Sequence, residues 1–259
     1  STKTKITEVF ANPIVDFVAS KFCKGEQTIF NASSFLSDTN IISYNWNFGL
    51  EGTSNNKNTM HTFSSDGVFD VSLLAVSDRG CESMLSKEIT IYELPSPKFE
   101  IDSDICLGDK VEISYLSNIN DVNVVEWSYN LGDGNFSNEQ NLIHTYAYIS
   151  TFDISLEVLS SQGCKNDTTI PAIIEVHAFP IADFQASALF ASELSPEINF
   201  YNNSEGATFF EWNFDNGDYS SEENPTYSFN NPQSYNVALT ATNNFGCSSE
   251  MIKTVHIDK

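Results

Sequence analysis

The sequence predicts an all-β chain of three tandem two-sheet sandwiches in an elongated array. Three observations predict it. Cys23 and Cys106 recur at an interval of 83, and Cys81, Cys164 and Cys247 recur at the same interval. Trp46, Trp127 and Trp212 recur at 81 and 85. Short runs alternate apolar and polar residues at period 2 and are broken by turn residues, the pattern of half-buried antiparallel strands. A fixed period of this kind marks a repeat.

Each unit opens with a proline four positions before a phenylalanine: Pro13/Phe17, Pro95/Phe99 and Pro180/Phe184. The first two continue with Cys-x-Gly (Cys23/Gly25, Cys106/Gly108) and an alternating pair (Thr28/Phe30, Val111/Ile113). The third has Ile198/Phe200 but no cysteine before it. An alternating run around each tryptophan follows, Tyr44-x-Trp46-x-Phe48, Val125-x-Trp127-x-Tyr129 and Phe210-x-Trp212-x-Phe214, which places the three tryptophans in the core between the sheets. Then come a Gly/Asp/Asn-rich turn and a His61-Thr62-Phe63, His144-Thr145-Tyr146 or Tyr227-Ser228-Phe229 segment. The longest alternating runs start at Phe69, Phe152 and Tyr235 and are closed by Gly80-Cys81, Gly163-Cys164 and Gly246-Cys247. About seven such runs in each period make a two-sheet sandwich, and no segment carries a sustained helical period.

The expected domains are 12–94, 95–179 and 180–259, with 1–11 a strand-like linker or the end of a preceding repeat, because Ile6 to Phe10 reads like the last strand of a unit. Short proline-containing linkers around Leu94–Pro97 and Ala178–Pro180 favour a semi-extended rod.

Cys23 to Cys81 and Cys106 to Cys164 have the same sequence separation, 58. Equal spans in two repeats predict two disulfides inside domains, each stabilising by roughly 4 kcal/mol in the chain-entropy model. Cys247 is left as a free or buried thiol, or for an intermolecular bridge. Disulfides assign the chain to an oxidising compartment. With no Cys-x-x-Cys and no suitably spaced histidines, zinc is excluded.

The formal net charge is −23, and from Val111 to Ile252 Lys165 is the sole basic residue against nineteen acidic ones. Such a surface repels nucleic acid and anionic membranes. No apolar stretch is long enough to span a bilayer, and no signal peptide is visible at Ser1. Asn31, Asn135, Asn166 and Asn202 head N-glycosylation sequons, which count only in a host that modifies them.

Nothing points to catalysis: there is no Gly-x-Ser-x-Gly and no His-Glu-x-x-His. His61 and His144 recur at one repeat position and read as packing and hydrogen-bonding residues, while His177 and His256 read as exposed strand positions. The oxygen-rich turns at Asp133 and at Asp215 to Asp218 are candidate calcium sites, although Asp-Gly and Asn-Gly are also what tight hairpins require.

The succession of WSYNLGDG (Trp127 to Gly134), NPTYSF (Asn224 to Phe229) and YNVALTATN (Tyr235 to Asn243) resembles the polycystic kidney disease (PKD) domain, an Ig-like sandwich, in all three units. The added Cys-x-Gly and Gly-Cys signatures resemble a subgroup in surface proteins of Bacteroidetes. The resemblance implies exported adhesins and gliding-motility proteins, often ahead of a type IX secretion sorting domain, and calcium dependence in some exoenzyme relatives. The expected role is a non-catalytic spacer or stalk of an extracellular, cell-surface protein, its partners being other domains of the same longer chain. The alternatives are a module binding surface polysaccharide or protein, with Phe190, Phe209, Tyr219 and Phe245 as candidate contacts, and an accessory region of a secreted hydrolase.

Overall fold

The computed structural model describes residues 9–36, 40–116 and 123–259. The expected strand from Ile6 to Phe10 lies for the most part outside them; Val9 and Phe10 are described, and neither is in a strand. Among the described residues there is no α-helix, and one 3-10 turn at Gly49–Glu51.

The first repeat contains β1 (Phe17–Ser20), β2 (Gln27–Ala32), β3 (Ile41–Asn47), β4 (Thr53–Ser54), β5 (Asn58–Thr62), β6 (Gly67–Ser77) and β7 (Glu82–Ile91), arranged as one sheet β1-β2-β5 and a second β4-β3-β6-β7. The second contains β8 (Phe99–Ile101), β9 (Asp104–Cys106), β10 (Lys110–Tyr115), β11 (Val124–Asn130), β12 (Phe136–Ser137), β13 (Asn141–Thr145), β14 (Thr151–Ser160) and β15 (Lys165–His177). Its sheets run β8-β10-β13 and β12-β11-β14-β15-β9. The third contains β16 (Phe184–Ala186), β17 (Phe190–Ser192), β18 (Glu197–Asn202), β19 (Phe209–Asn213), β20 (Tyr219–Ser220), β21 (Thr226–Ser228), β22 (Ser234–Thr242) and β23 (Ser248–Asp258), with sheets β16-β18-β21 and β17-β23-β22-β19-β20. By internal contacts the chain divides into two compact units. One holds the first repeat with 123–127 and 157–168 of the second; the other holds the rest of the second and all of the third.

The alternation read from the sequence points into these sandwiches. Thr28 and Phe30, Val111 and Ile113, and Ile198 and Phe200 are all buried, as are Val71, Leu73 and Ala75 on β6 and their counterparts on β14 and β22. An asparagine repeats at the rim with the period of the cysteines: the side-chain oxygens of Asn58, Asn141 and Asn224 accept the backbone N–H of Ala32, Tyr115 and Asn202. Each carbonyl oxygen satisfies a donor that the strand ladder leaves over.

The expectation of three core tryptophans requires a correction. Trp46 pairs with Ser54 and Trp212 with Ser220, but the residue in that register in the second repeat, opposite Ser137, is Tyr129. Trp46 and Trp212 donate their indole N–H to the carbonyls of Asn56 and Glu222 at 2.9 Å, and Tyr129 sends its hydroxyl to Gln140. Edge-on contacts agree: Phe17 meets Trp46, Phe184 meets Trp212, and Phe99 meets Tyr129. Trp127 sits two positions earlier, in the half-buried place of Tyr44 and Phe210.

Candidate functional site

The turn after β11 and the turn after β19 hold the carboxylates singled out as calcium ligands, and each of the three accepts a hydrogen bond from a neighbouring group. Asp133 accepts from the backbone N–H and side-chain amide of Asn135, and its other contact is His144 Nε2 at 2.7 Å. Burial acts to raise the Asp133 pKa, but the hydrogen bonds from His144 and Asn135 outweigh it and hold the carboxyl below its ordinary value. In the third repeat Asp215, in a left-handed conformation, accepts the N–H of Asn236, and Asp218 accepts the hydroxyl of Tyr227. Asp215 and Asp218 make these bonds through Oδ2. His144 and Tyr227 occupy the same repeat position, so each turn is tied to the adjoining strand through that side chain, which in the third repeat also accepts from Asn216.

The first member of that set, His61, lies flat on Phe48 at 4.2 Å, as Tyr227 lies on Phe214 at 4.0 Å. Burial lowers the His61 pKa, with a smaller opposing effect from Glu51. The reading of His61 and His144 as packing and hydrogen-bonding residues describes these contacts.

The four aromatic residues considered for ligand contact do not converge. Phe190 is on β17 and Tyr219 on β20, opposite edges of one sheet. Phe190 stacks on His256, and Phe245 in the β22–β23 turn stacks on His177 with ring centroids 3.5 Å apart. His177 is therefore not an exposed strand position; it is 7% exposed beneath Phe245. Its ring nitrogens face Asp104 at 3.3 Å and Glu175 at 3.9 Å. Parallel pairing of β9 with β15 sets Asp104 opposite Glu175 and Cys106 opposite His177. The ligand atoms of Asp104, Glu175 and His177 lie within 4.8 Å of one another. Sequence spacing did not reveal this carboxylate–histidine cluster, because Asp104 lies most of a repeat away from the other two along the chain.

The cysteines correct the largest expectation. Cys23 is bonded to Cys164 and Cys106 to Cys247, each at a sequence separation of 141, and Cys81 is the free thiol. The disulfides run between repeats, so the expected Cys23–Cys81 and Cys106–Cys164 pairs do not form and Cys247 is not unpaired. Strand length explains this. Cys23 bridges Tyr92, just past the end of β7, whereas Cys81 lies just before its start. The extended strand between them separates the two by roughly 33 Å, and bonded cysteines need Cα atoms within about 7 Å. One cysteine of each pair stands where its repeat ends, and the other in the hairpin turn where the next begins.

Polar contacts accompany each crossing. Asn166 donates its side-chain amide to the Pro95 carbonyl, and Asn243 donates to Ala178. In the third repeat the position equivalent to Cys23 and Cys106 is Ser192. It faces Asp258 on a parallel neighbour and accepts the N–H of Ser195 across the turn, as Cys23 accepts from Glu26 and Cys106 from Asp109.

A family model described as PKD domain matches residues 10–91, 92–175 and 177–258. Solved structures give partial likenesses. The PKD1 domain from the Vibrio cholerae metalloprotease PrtV is 26% identical, covering 31% of this chain and 98% of that one, with a TM-score of 0.29. The PKD1 domain of Vibrio anguillarum Epp is 20% identical over 33% of this chain and 99% of its own, with a TM-score of 0.31. A solved chain of a 1.5-MDa bacterial ice-binding adhesin is 8% identical, covering 96% of this chain and 99% of that solved chain, with a TM-score of 0.40.

Proposed function

This chain belongs to the PKD domain family along nearly its whole length, and from that premise we propose that it is a non-catalytic spacer of an exported protein, built to keep its ends together under tension. The observation that carries this reading is the pair of disulfides between successive repeats. Under tension, force leaves the backbone at Cys23, crosses to Cys164, returns to Cys106, crosses to Cys247 and continues to Lys259. Linkers between repeats are bypassed. An oxidising location is what such bonds require, and the net charge of −23 keeps a long surface soluble and poorly adhesive. No helix among the described residues is long and apolar enough to cross a membrane. Attachment to a cell surface and placement among adhesins or gliding-motility proteins are further parts of this proposal.

Single-molecule pulling tests it. At about 3.4 Å per extended residue, the shortest covalent path limits the oxidised chain to roughly 320 Å, against roughly 880 Å once reduced. Equal extensions in the two states would remove the mechanical reading. Saturable binding of a polysaccharide or matrix protein to one isolated repeat would replace it with recognition.

A further inference from the structure

The turn that carries Cys81 has the same construction as the two turns whose cysteines are bonded. The N–H of Ser77, Ser160 and Asn243 donates to the carbonyl of Cys81, Cys164 and Cys247 at 2.9, 2.8 and 2.9 Å. Each cysteine N–H is in turn accepted by the side chain of Ser77, Ser160 or Asn243. Gly80, Gly163 and Gly246 supply the left-handed residue. In two of the three copies the sulfur is joined to the strand-end cysteine of the repeat before it, and there Cys164 and Cys247 are 0% and 1% exposed. Cys81, with no such partner, is only half-buried.

The incoming chain also touches each of the three turns, at a different position in each. The incoming chain passes the bonded turns through Pro95 and Ala178. At the first turn it passes through Phe10, whose carbonyl is 4.0 Å from Cys81 Sγ and whose ring lies under the Arg79 guanidinium at 5.1 Å.

We propose that Cys81 is the receiving half of a third disulfide between domains, whose donor is the strand-end cysteine of another PKD domain. The donor carries its thiol as Cys23 and Cys106 do, in Cys-x-Gly beside the end of its last strand. It lies either upstream on the same polypeptide or on a second molecule. The bond forms from two thiols, whose two electrons and two protons pass to a disulfide oxidant such as oxidised glutathione, reduced to two thiols. The inference stands apart from the spacer reading, because it concerns which sulfurs pair and not what the pairing serves.

Ser192 makes a test possible, since it occupies the donor position of a repeat that lacks the cysteine. A donor chain with Ser192→Cys and Cys81→Ser is mixed with the wild-type chain in a glutathione redox buffer. The expected product is one covalent heterodimer, with a single cross-linked peptide joining position 192 of one chain to Cys81 of the other. That dimer is lost completely when the acceptor carries Cys81→Ser, and when the donor thiol is moved by Glu193→Cys in place of Ser192→Cys. A circular dichroism spectrum matching wild type certifies the folding of each variant. In a second arm the donor chain is fused upstream of the wild-type chain at nanomolar concentration. Linkage here without linkage in the mixture assigns the donor to the same polypeptide, and linkage in both admits a second molecule. Absence of the 192–81 linkage from both arms, or symmetric 81–81 pairing in its place, overturns the proposal.

Discussion

Tyr129 occupies in the second repeat the place that Trp46 occupies in the first, opposite the same strand position and packed edge-on against the equivalent phenylalanine. Trp46, Tyr129 and Trp212 are spaced by 83 and 83, the interval of the cysteines. Trp127, two positions before Tyr129, is half-buried.

Replacement of each by alanine separates the two roles. Tyr129→Ala is expected to destabilise the second repeat by about 3–5 kcal/mol, the range for a buried aromatic residue. Trp127→Ala is expected to cost less than about 2 kcal/mol, because its ring is only partly buried. Urea unfolding of the two variants checks the order.

Burial, with a smaller effect from Tyr115, pushes the Tyr129 phenol up to about 12. The unfolded phenol ionises near 10, so the unfolded state gives up its proton first and stability falls as pH rises from about 10 to 12. Ultraviolet titration is expected to show late-ionising tyrosine absorbance, because burial raises Tyr146 and Tyr227 as well, and that absorbance falls by one residue in Tyr129→Phe.

His61 predicts a dependence at the opposite end. Its folded pKa lies below the ordinary 6.5 because it is buried on Phe48. Below pH 6.5 the unfolded state takes up the proton first, so stability is full above that pH and declines as pH falls towards the depressed folded value. His61→Tyr, which copies Tyr227 of the third repeat, is expected to flatten the thermal midpoint between pH 7 and 5.

Gly132 and Gly134 bracket Asp133, both with positive φ. A side chain at Gly134 would meet open space, whereas a Cβ at Gly132 would lie 2.4 Å from the backbone oxygen of Asp153. Gly134→Ala is therefore expected to cost only the left-handed conformation, about 1–2 kcal/mol. Gly132→Ala is expected to cost distinctly more, measured by thermal unfolding of both.

Removal of one staple by Cys106→Ser with Cys247→Ser is expected to cost up to about 5 kcal/mol, the chain-entropy value for a loop of this size. Reduction of the wild type breaks both disulfides, so its denaturant unfolding should show a larger loss than the variant.

Much of the fold was legible. Period-2 runs from Thr28, Val111 and Ile198 locate buried strands because alternation follows directly from the pleat. The misplaced Trp127 was legible too, since intervals of 81 and 85 around a period of 83 mark a shift of two positions, and a shift of two along a strand keeps the same face. The disulfides were not. In a tandem repeat, a pair within one unit and a pair one period further apart are equally regular, and either leaves one of five cysteines over. Only the length of β7, which carries Cys81 away from Cys23, decides between them. The cluster of Asp104, Glu175 and His177 stayed hidden for a related reason, because parallel pairing of β9 with β15 leaves no local signature.

Disulfide mapping of the native chain tests the central claim most directly. Free thiols are alkylated without reduction, the chain is digested, and linked peptides are identified by mass. The account predicts Cys23 joined to Cys164, Cys106 joined to Cys247, and the label on Cys81 alone. Peptides joining Cys23 to Cys81 and Cys106 to Cys164, with the label on Cys247, would contradict it.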